Sequence, residues 1–246
     1  MSWTPPRYLQ TSVVRSNQIR YVWNEADLRW VYTLPEGVDP NGATWASWID
    51  AAVCGLTIAI VEWPIFRLMP FDSDPTPQQA VEAAWCANID RHYCEGLEFN
   101  RDEWRGPVRG PLLSCMNMMH EALFESMEAG TRPLHCPSIA SGLIEHTCGE
   151  SYPAFLAWRE QIIERLSHSY QAPDPLQDLY GEAESTMVVP PQAFDPQVNF
   201  DMALAPRLAD EFLRNVDYDA NPLLLTPDEM RRDGFEGVPY RYPYST

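Results

Sequence analysis

The chain has 246 residues, 45% of them hydrophobic and 12% aromatic, enough to bury a sizeable core and too apolar for disorder throughout. Its 35 acidic residues against 17 basic ones leave a net charge of −18. Such a surface repels nucleic-acid phosphates and anionic lipid headgroups, so neither nucleic acid nor membrane is an expected partner, and it attracts basic proteins.

Residues 1–17 read as irregular, with no apolar h-region, so no signal peptide is expected and the protein reads as cytoplasmic. In "QIRYVWNEADLRWVYTL", Ile19, Tyr21 and Trp23 alternate with polar neighbours. Leu28, Trp30, Tyr32 and Leu34 do the same beyond the polar "NEAD". That pattern predicts an antiparallel β-hairpin with one aromatic face. After a turn-rich loop, Thr44 predicts the cap of a helix carrying Trp45, Trp48, Ile49, Ala52 and Val53. The apolar run at residues 51–61 falls short of the roughly 20 residues a membrane span requires. "LTIAIVEW" reads either as an extension of that helix or as a buried strand, with Pro64 and Pro70 closing the region.

Thr76 and Pro77 mark the next helix start, with Val81, Ala84, Trp85, Asn88, Ile89 and His92 on one face. A second helix is predicted from after Pro111 to Ala129, stopped by Gly130. A short helix is predicted at residues 138–146. A third long one after Ser151 buries Phe155, Leu156, Trp158, Ile162, Ile163 and Leu166. Beyond Tyr170 the texture changes: ten of the 23 prolines and 14 of the 35 acids lie in the last 76 residues, with short helices in "APRLADEFLRNV" and "TPDEMRRDGF". The fold class expected is α+β, mostly helical. An N-terminal β-hairpin packs on a helical layer within a core at residues 1–170, and an acidic Pro-rich arm, residues 171–246, packs on that core.

"CMNMMHEALFE" holds soft ligands, but Leu112, Cys115, Met116, Met119, Ala122, Leu123, Ser126 and Met127 fall on one broad helical face, which is core spacing. Phe124 stands where a zinc protease of the H-E-x-x-H type needs its second histidine. His135, Cys136, His146 and Cys148 are zinc-type ligands without a paired C-x-x-C or H-x-x-x-H spacing. Cys86, His92 and Cys94 could join them only across space, and adjacent His135 and Cys136 rarely ligate one ion together. Cys148, near His146, Glu145 and Glu150, is the candidate nucleophile of a cysteine hydrolase. The six cysteines otherwise read as reduced thiols. Every basic residue is arginine, and the absence of lysine removes Schiff-base, P-loop and protein-kinase mechanisms. Arginine codons displacing lysine codons, or avoidance of lysine modification, would each account for it. No metal and no cofactor are expected.

The remaining candidate is the arm. Asp217, Asp219, Asp228, Glu229, Asp233 and Glu236 lie there with Phe235 and Tyr240, and Tyr242 and Tyr244 follow. Carboxylates can stand where a basic enzyme expects phosphates, and aromatic side chains supply desolvated anchors. In these overall traits the chain resembles the immunity proteins of bacterial contact-dependent and type VI secretion toxins. The resemblance implies stoichiometric neutralisation of a basic toxin enzyme, a nuclease being the expected class, in the cytoplasm. A hydrolase with a dispersed Cys/His or carboxylate site, and a phage or structural assembly protein, are the alternatives. A homodimer is compatible with each.

Overall fold

The computed structural model describes residues 4–10, 14, 18–24, 43–126, 129–172 and 187–243. Helix α1 (Asp50–Leu68) is the axis of the fold, and residues 52–68 are all buried. Around it pack α2 (Thr76–Ile89), α3 (Gly106–His120) and α4 (Cys136–Thr147). Helix α5 (Tyr152–Ser169) adds Phe155, Trp158, Ile162 and Leu166 to the core. Two short helices, α6 (Ala205–Arg214) and α7 (Pro227–Arg232), follow.

The sequence "LTIAIVEW" continues α1 as helix, and Pro64 lies inside that helix instead of ending it. An interior proline costs roughly 3 kcal/mol. Burial of Ile65, Phe66 and Leu68 beyond it, at about 1.5–3 kcal/mol each, outweighs that. Thr44 opens only a 3₁₀ turn, Thr44–Ser47, and Trp48 and Ile49 are extended before α1 begins. With the turn that follows it, α1 is the one helix among the described residues long and apolar enough to cross a membrane, and it is almost wholly buried within the fold.

A helix apolar on every side still carries Glu62, 1% exposed. Its carboxylate accepts from Tyr8 Oη at 2.8 Å and Trp85 Nε1 at 2.9 Å, so segments far apart in sequence meet on one buried acid. Burial first, then the neighbouring Glu62 charge, pushes the Tyr8 phenol up.

The expected α+β class is overturned. The described residues contain no strand, and their β pairing is one isolated antiparallel bridge between Trp48 and Gln171. The first half of the expected hairpin lies across helices. Tyr21 Oη donates to the Pro107 carbonyl, the Trp23 indole sits against Gly110, and His146 Nε2 donates to the Val22 carbonyl at 3.0 Å. Alternating aromatics fit any half-buried surface, and here a helical one provides it. Leu28, Trp30, Tyr32 and Leu34 lie outside the described residues.

The other helices start and stop by local chemistry. Thr76 is the first residue of α2 and not its cap, which is Pro75; Asp74 Oδ1 accepts from Thr76 N at 3.0 Å and Thr76 Oγ1 at 2.6 Å just before the helix. Helix α3 begins at Gly106, so Pro111 falls within it. Its continuation, Glu121–Glu125, widens into a π turn. Cys115, Met116, Met119, Ala122, Leu123 and Ser126 are buried as their spacing predicts, and Met127 lies outside the described residues.

The segment after residue 187 is anchored by Phe194, 1% exposed. Its ring fills the space left by Gly55 on α1, where a Cβ would come 2.7 Å from Phe194 Cζ. Trp85 lies 5.2 Å away, and Trp158 Nε1 donates to the Phe194 carbonyl at 3.0 Å. Arg165 spreads its guanidinium over the carbonyls of Ala193, Asp195 and Val198 at 3.2, 2.8 and 3.0 Å. Further on, Asn221 Nδ2 donates to the buried Glu82 carboxylate at 3.0 Å, and Leu225 N donates to the Tyr93 carbonyl at 2.9 Å. Replacing Phe194 by alanine should lower unfolding stability by about 3–5 kcal/mol. Denaturant titration followed by tryptophan fluorescence checks this, since Trp85 and Trp158 both touch the anchor; a loss below about 1 kcal/mol would show that the segment is held elsewhere.

Candidate functional site

A cleft of about 840 Å³ opens between the end of α2 and the last described residues of the chain. Its lining combines Ile89, Asp90, His92 and Tyr93 with Gly234, Phe235, Glu236, Val238, Arg241 and Tyr242, and Met187 and Val188 complete it.

Part of this lining is built on the motif "TPDEMRRDGF". Thr226 and Glu229 make a capping box: Thr226 Oγ1 accepts from Glu229 N at 3.4 Å, and Glu229 Oε2 accepts from Thr226 N at 2.9 Å. At the other end Gly234 takes the left-handed conformation, φ 92°. There Phe235 N donates to Met230 O at 3.0 Å and Gly234 N to Arg231 O at 3.2 Å, a Schellman closure. A six-residue helix is thus fixed at both ends, and the turn delivers Phe235 and Glu236 to the cleft.

Tyr240 holds the chain beyond it. Its ring lies 4.6 Å from Tyr218 and 4.9 Å from Tyr93, and its hydroxyl donates to Leu225 O at 2.6 Å. It does so with φ at 56°, the one non-glycine positive φ among the described residues. Such a conformation costs on the order of 1–3 kcal/mol and persists because the surrounding contacts over-determine it. Arg241 then pairs with Asp210 through Nε at 2.6 Å and Nη2 at 3.2 Å, while Tyr242 N donates to the same carboxylate at 3.1 Å.

The eight arm residues singled out from sequence divide by role. Asp219, Asp228, Asp233 and Glu236 are exposed, and Asp217 is half-buried. Asp228 pairs with Arg231 at 2.9 Å, whereas Asp219, Asp233 and Glu236 make no ion pair among the described residues. Glu229 is spent on the capping box and Tyr240 on the aromatic stack; Phe235 and Glu236 line the cleft. Asp90 and Val238 escaped the sequence reading, and His92, expected on a helix face or as a distant zinc ligand, lies exposed beyond the end of α2. Asp90 and His92 pair at 2.8 Å, and Val238 is 67% exposed at the rim. Nothing local distinguishes them, because they meet the arm only in the fold. The cleft therefore brings aromatic rings, Phe235 and Tyr242, into one lining with two carboxylates, Asp90 and Glu236, and its arginine is already engaged. That suits a cationic side chain.

The cysteine and histidine candidates separate. Cys148 is 2% exposed, and burial pushes its thiol up to about 11. Its polar neighbour is Thr147 Oγ1 at 3.5 Å, while the His146 ring lies against Tyr21 and Trp23. No Cys148–His146 pair forms, so the hydrolase reading loses its nucleophile. Burial likewise raises Cys54 to about 12 and Cys94 to about 11. His135 and Cys136 do come together, with Glu121 and not with His146 or Cys148. No protein-family model, curated protein or solved structure matches the chain.

The Arg241–Asp210 pair sets an acid limit on the cleft wall. The Arg241 guanidinium, helped by the Tyr242 N–H, holds the Asp210 carboxyl below the usual carboxylate range against the opposing effect of burial. A depressed folded-state pKa gives stability that is complete above the unfolded value of about 3.9 and lost as pH falls through the folded value. Asp210→Asn should cost about 1–3 kcal/mol at neutral pH and flatten the loss of stability in acid. Denaturant midpoints measured from pH 7 to pH 2 test this; identical slopes in the two proteins would contradict it.

Proposed function

We propose that the protein is an inhibitory binding protein that sequesters a basic protein partner through its C-terminal acidic face. The observation that supports this best is the division of labour among the arm's charges. The buried acids Asp195 and Asp210 and the capping Glu229 serve the fold, while Asp219, Asp233 and Glu236 stand exposed without an ion pair among the described residues, Glu236 in the lining of the cleft. Opposite charge accelerates encounter, and an arginine or lysine of the partner seats between Asp90 and Glu236 over Phe235 and Tyr242. In this reading the partner is a cognate toxin enzyme, most naturally a nuclease whose phosphate-binding groove accepts carboxylates. Neutralisation is then stoichiometric and takes place in the cytoplasm.

The test is purification of the complex at low salt. The partner should be basic, bound one-to-one, and lose its own activity while bound. Neutralising Asp219, Asp228, Asp233 and Glu236 together should slow association by roughly tenfold or more and flatten its salt dependence. Salt should weaken the native complex, because surface charges are screened within about 10 Å at 0.1 M. A partner indifferent to the four substitutions, or no basic partner at all, overturns the reading.

A further inference from the structure

We propose that Glu121, His135 and Cys136 form a binding site for a divalent transition-metal ion of the zinc class. The three side chains come from the π turn that extends α3 and from the start of α4. Glu121 is the first residue of the π turn, His135 immediately precedes α4, and Cys136 is the first residue of α4. Their oxygen, nitrogen and sulfur donors all lie within 4.8 Å of one another.

What distinguishes this arrangement from a catalytic relay is where the contacts meet. A Cys–His–acid triad needs both ring nitrogens, one toward the thiol and one toward the acid. Here Glu121 Oε1 approaches His135 Nε2 at 2.5 Å and Cys136 Sγ approaches the same Nε2 at 3.7 Å. Convergence on a single nitrogen is a vertex, not a chain. Tetrahedral zinc with bonds of about 2.0 Å to nitrogen and about 2.3 Å to sulfur sets the N···S edge at roughly 3.5 Å, and the His135–Cys136 pair at 3.7 Å is already close to it. The Glu121 carboxylate has to swing out to an N···O edge of roughly 3.3 Å. One carboxylate, one imidazole and one thiol is a donor set that zinc accepts, with a fourth position left for water.

The surroundings are compatible with entry and retention. Glu121 and His135 are partly exposed, whereas Cys136 is 1% exposed. On the inner side Cys54 of α1 donates to the Ala122 carbonyl at 3.2 Å, bracing the π turn that carries Glu121. π turns recur at functional sites, and this one sets the position of its acid relative to a histidine fourteen residues on. Ion binding transfers the Cys136 proton to solvent and joins the end of α3 to the start of α4.

The experiment uses the full chain, stripped with chelator and titrated with Co²⁺. The native protein should take up one equivalent and develop a thiolate-to-cobalt charge-transfer absorption in the near ultraviolet. Cys136→Ser should abolish that absorption, while Cys86→Ser should retain it. Glu121→Gln, at a partly exposed position and therefore expected to fold, should weaken Co²⁺ binding by roughly tenfold or more, the scale seen even for outer-shell partners. Circular dichroism on each variant confirms the fold. Folded native chain without uptake, a band that survives Cys136→Ser, or affinity unchanged in folded Glu121→Gln would each overturn the proposal.

Discussion

A helix buried along nearly its whole length must be enclosed from every direction, and α1 imposes that requirement on the rest of the chain. Its backbone hydrogen bonds are internal, so it can be apolar on all sides without leaving polar groups unpaired. What it cannot supply is its own cover. Helices α2, α3 and α4 take three directions, and the segment around Phe194 reaches α1 at Gly55. Glu62 fixes the angular position of that cover. A buried carboxylate left without donors would cost several kcal/mol, and Tyr8 and Trp85 can both reach it only when the N-terminal turn and α2 are in register with α1.

The arm follows from the same constraint. It holds proline at 190, 191, 196, 206, 222, 227 and 239 and runs as turns and short helices. Its turns leave some carbonyls without a backbone partner, and side chains of the body donate to them. Arg165 serves four carbonyls of the arm and Trp158 a fifth. Apolar anchors point inward and acids are left outward, so the same packing that seals α1 exposes Asp219, Asp233 and Glu236. Charge presentation is thus a consequence of how the core is closed.

The helical periodicities were legible because each helix has one face of its own against the core. Val81, Ala84 and Trp85, or Phe155, Trp158 and Ile162, repeat at the spacing that burial requires. The short helix in "TPDEMRRDGF" was legible as well, and the structure adds the capping box and the Schellman glycine that close it. Residues 19–23 were misread because alternation reports a half-buried extended chain and says nothing about what lies beneath it. Pro64 was misread as a stop because its cost is local and the burial that offsets it is not. The cleft was half legible: Phe235 ends a conspicuous motif and Glu236 follows it, whereas Asp90 and His92 follow a helix more than 140 residues earlier. The vertex at His135 was hidden for the same reason. Spacing rules register ligands one turn apart, while Glu121 and His135 are brought together by two helices whose relative placement α1 dictates.

Both candidate sites lie on the cover and not on the axis. The cleft belongs to the end of α2 and the arm, and the Glu121 cluster belongs to the junction of α3 and α4. Neither takes a lining side chain from α1, although Cys54 braces the turn beneath one of them. The two differ in range. Carboxylates at the cleft act over a screening length and tolerate a loosely positioned partner, so a wall that includes a half-exposed Arg241 and is held by a strained Tyr240 behind it is adequate for them. A metal vertex acts over a bond length and tolerates errors of a few tenths of an ångström, so it requires walls that do not shift. The chain places the demanding geometry between two helices packed directly on α1 and the permissive one on the segment that closes the fold last in sequence. That order matches the rigidity each kind of recognition needs.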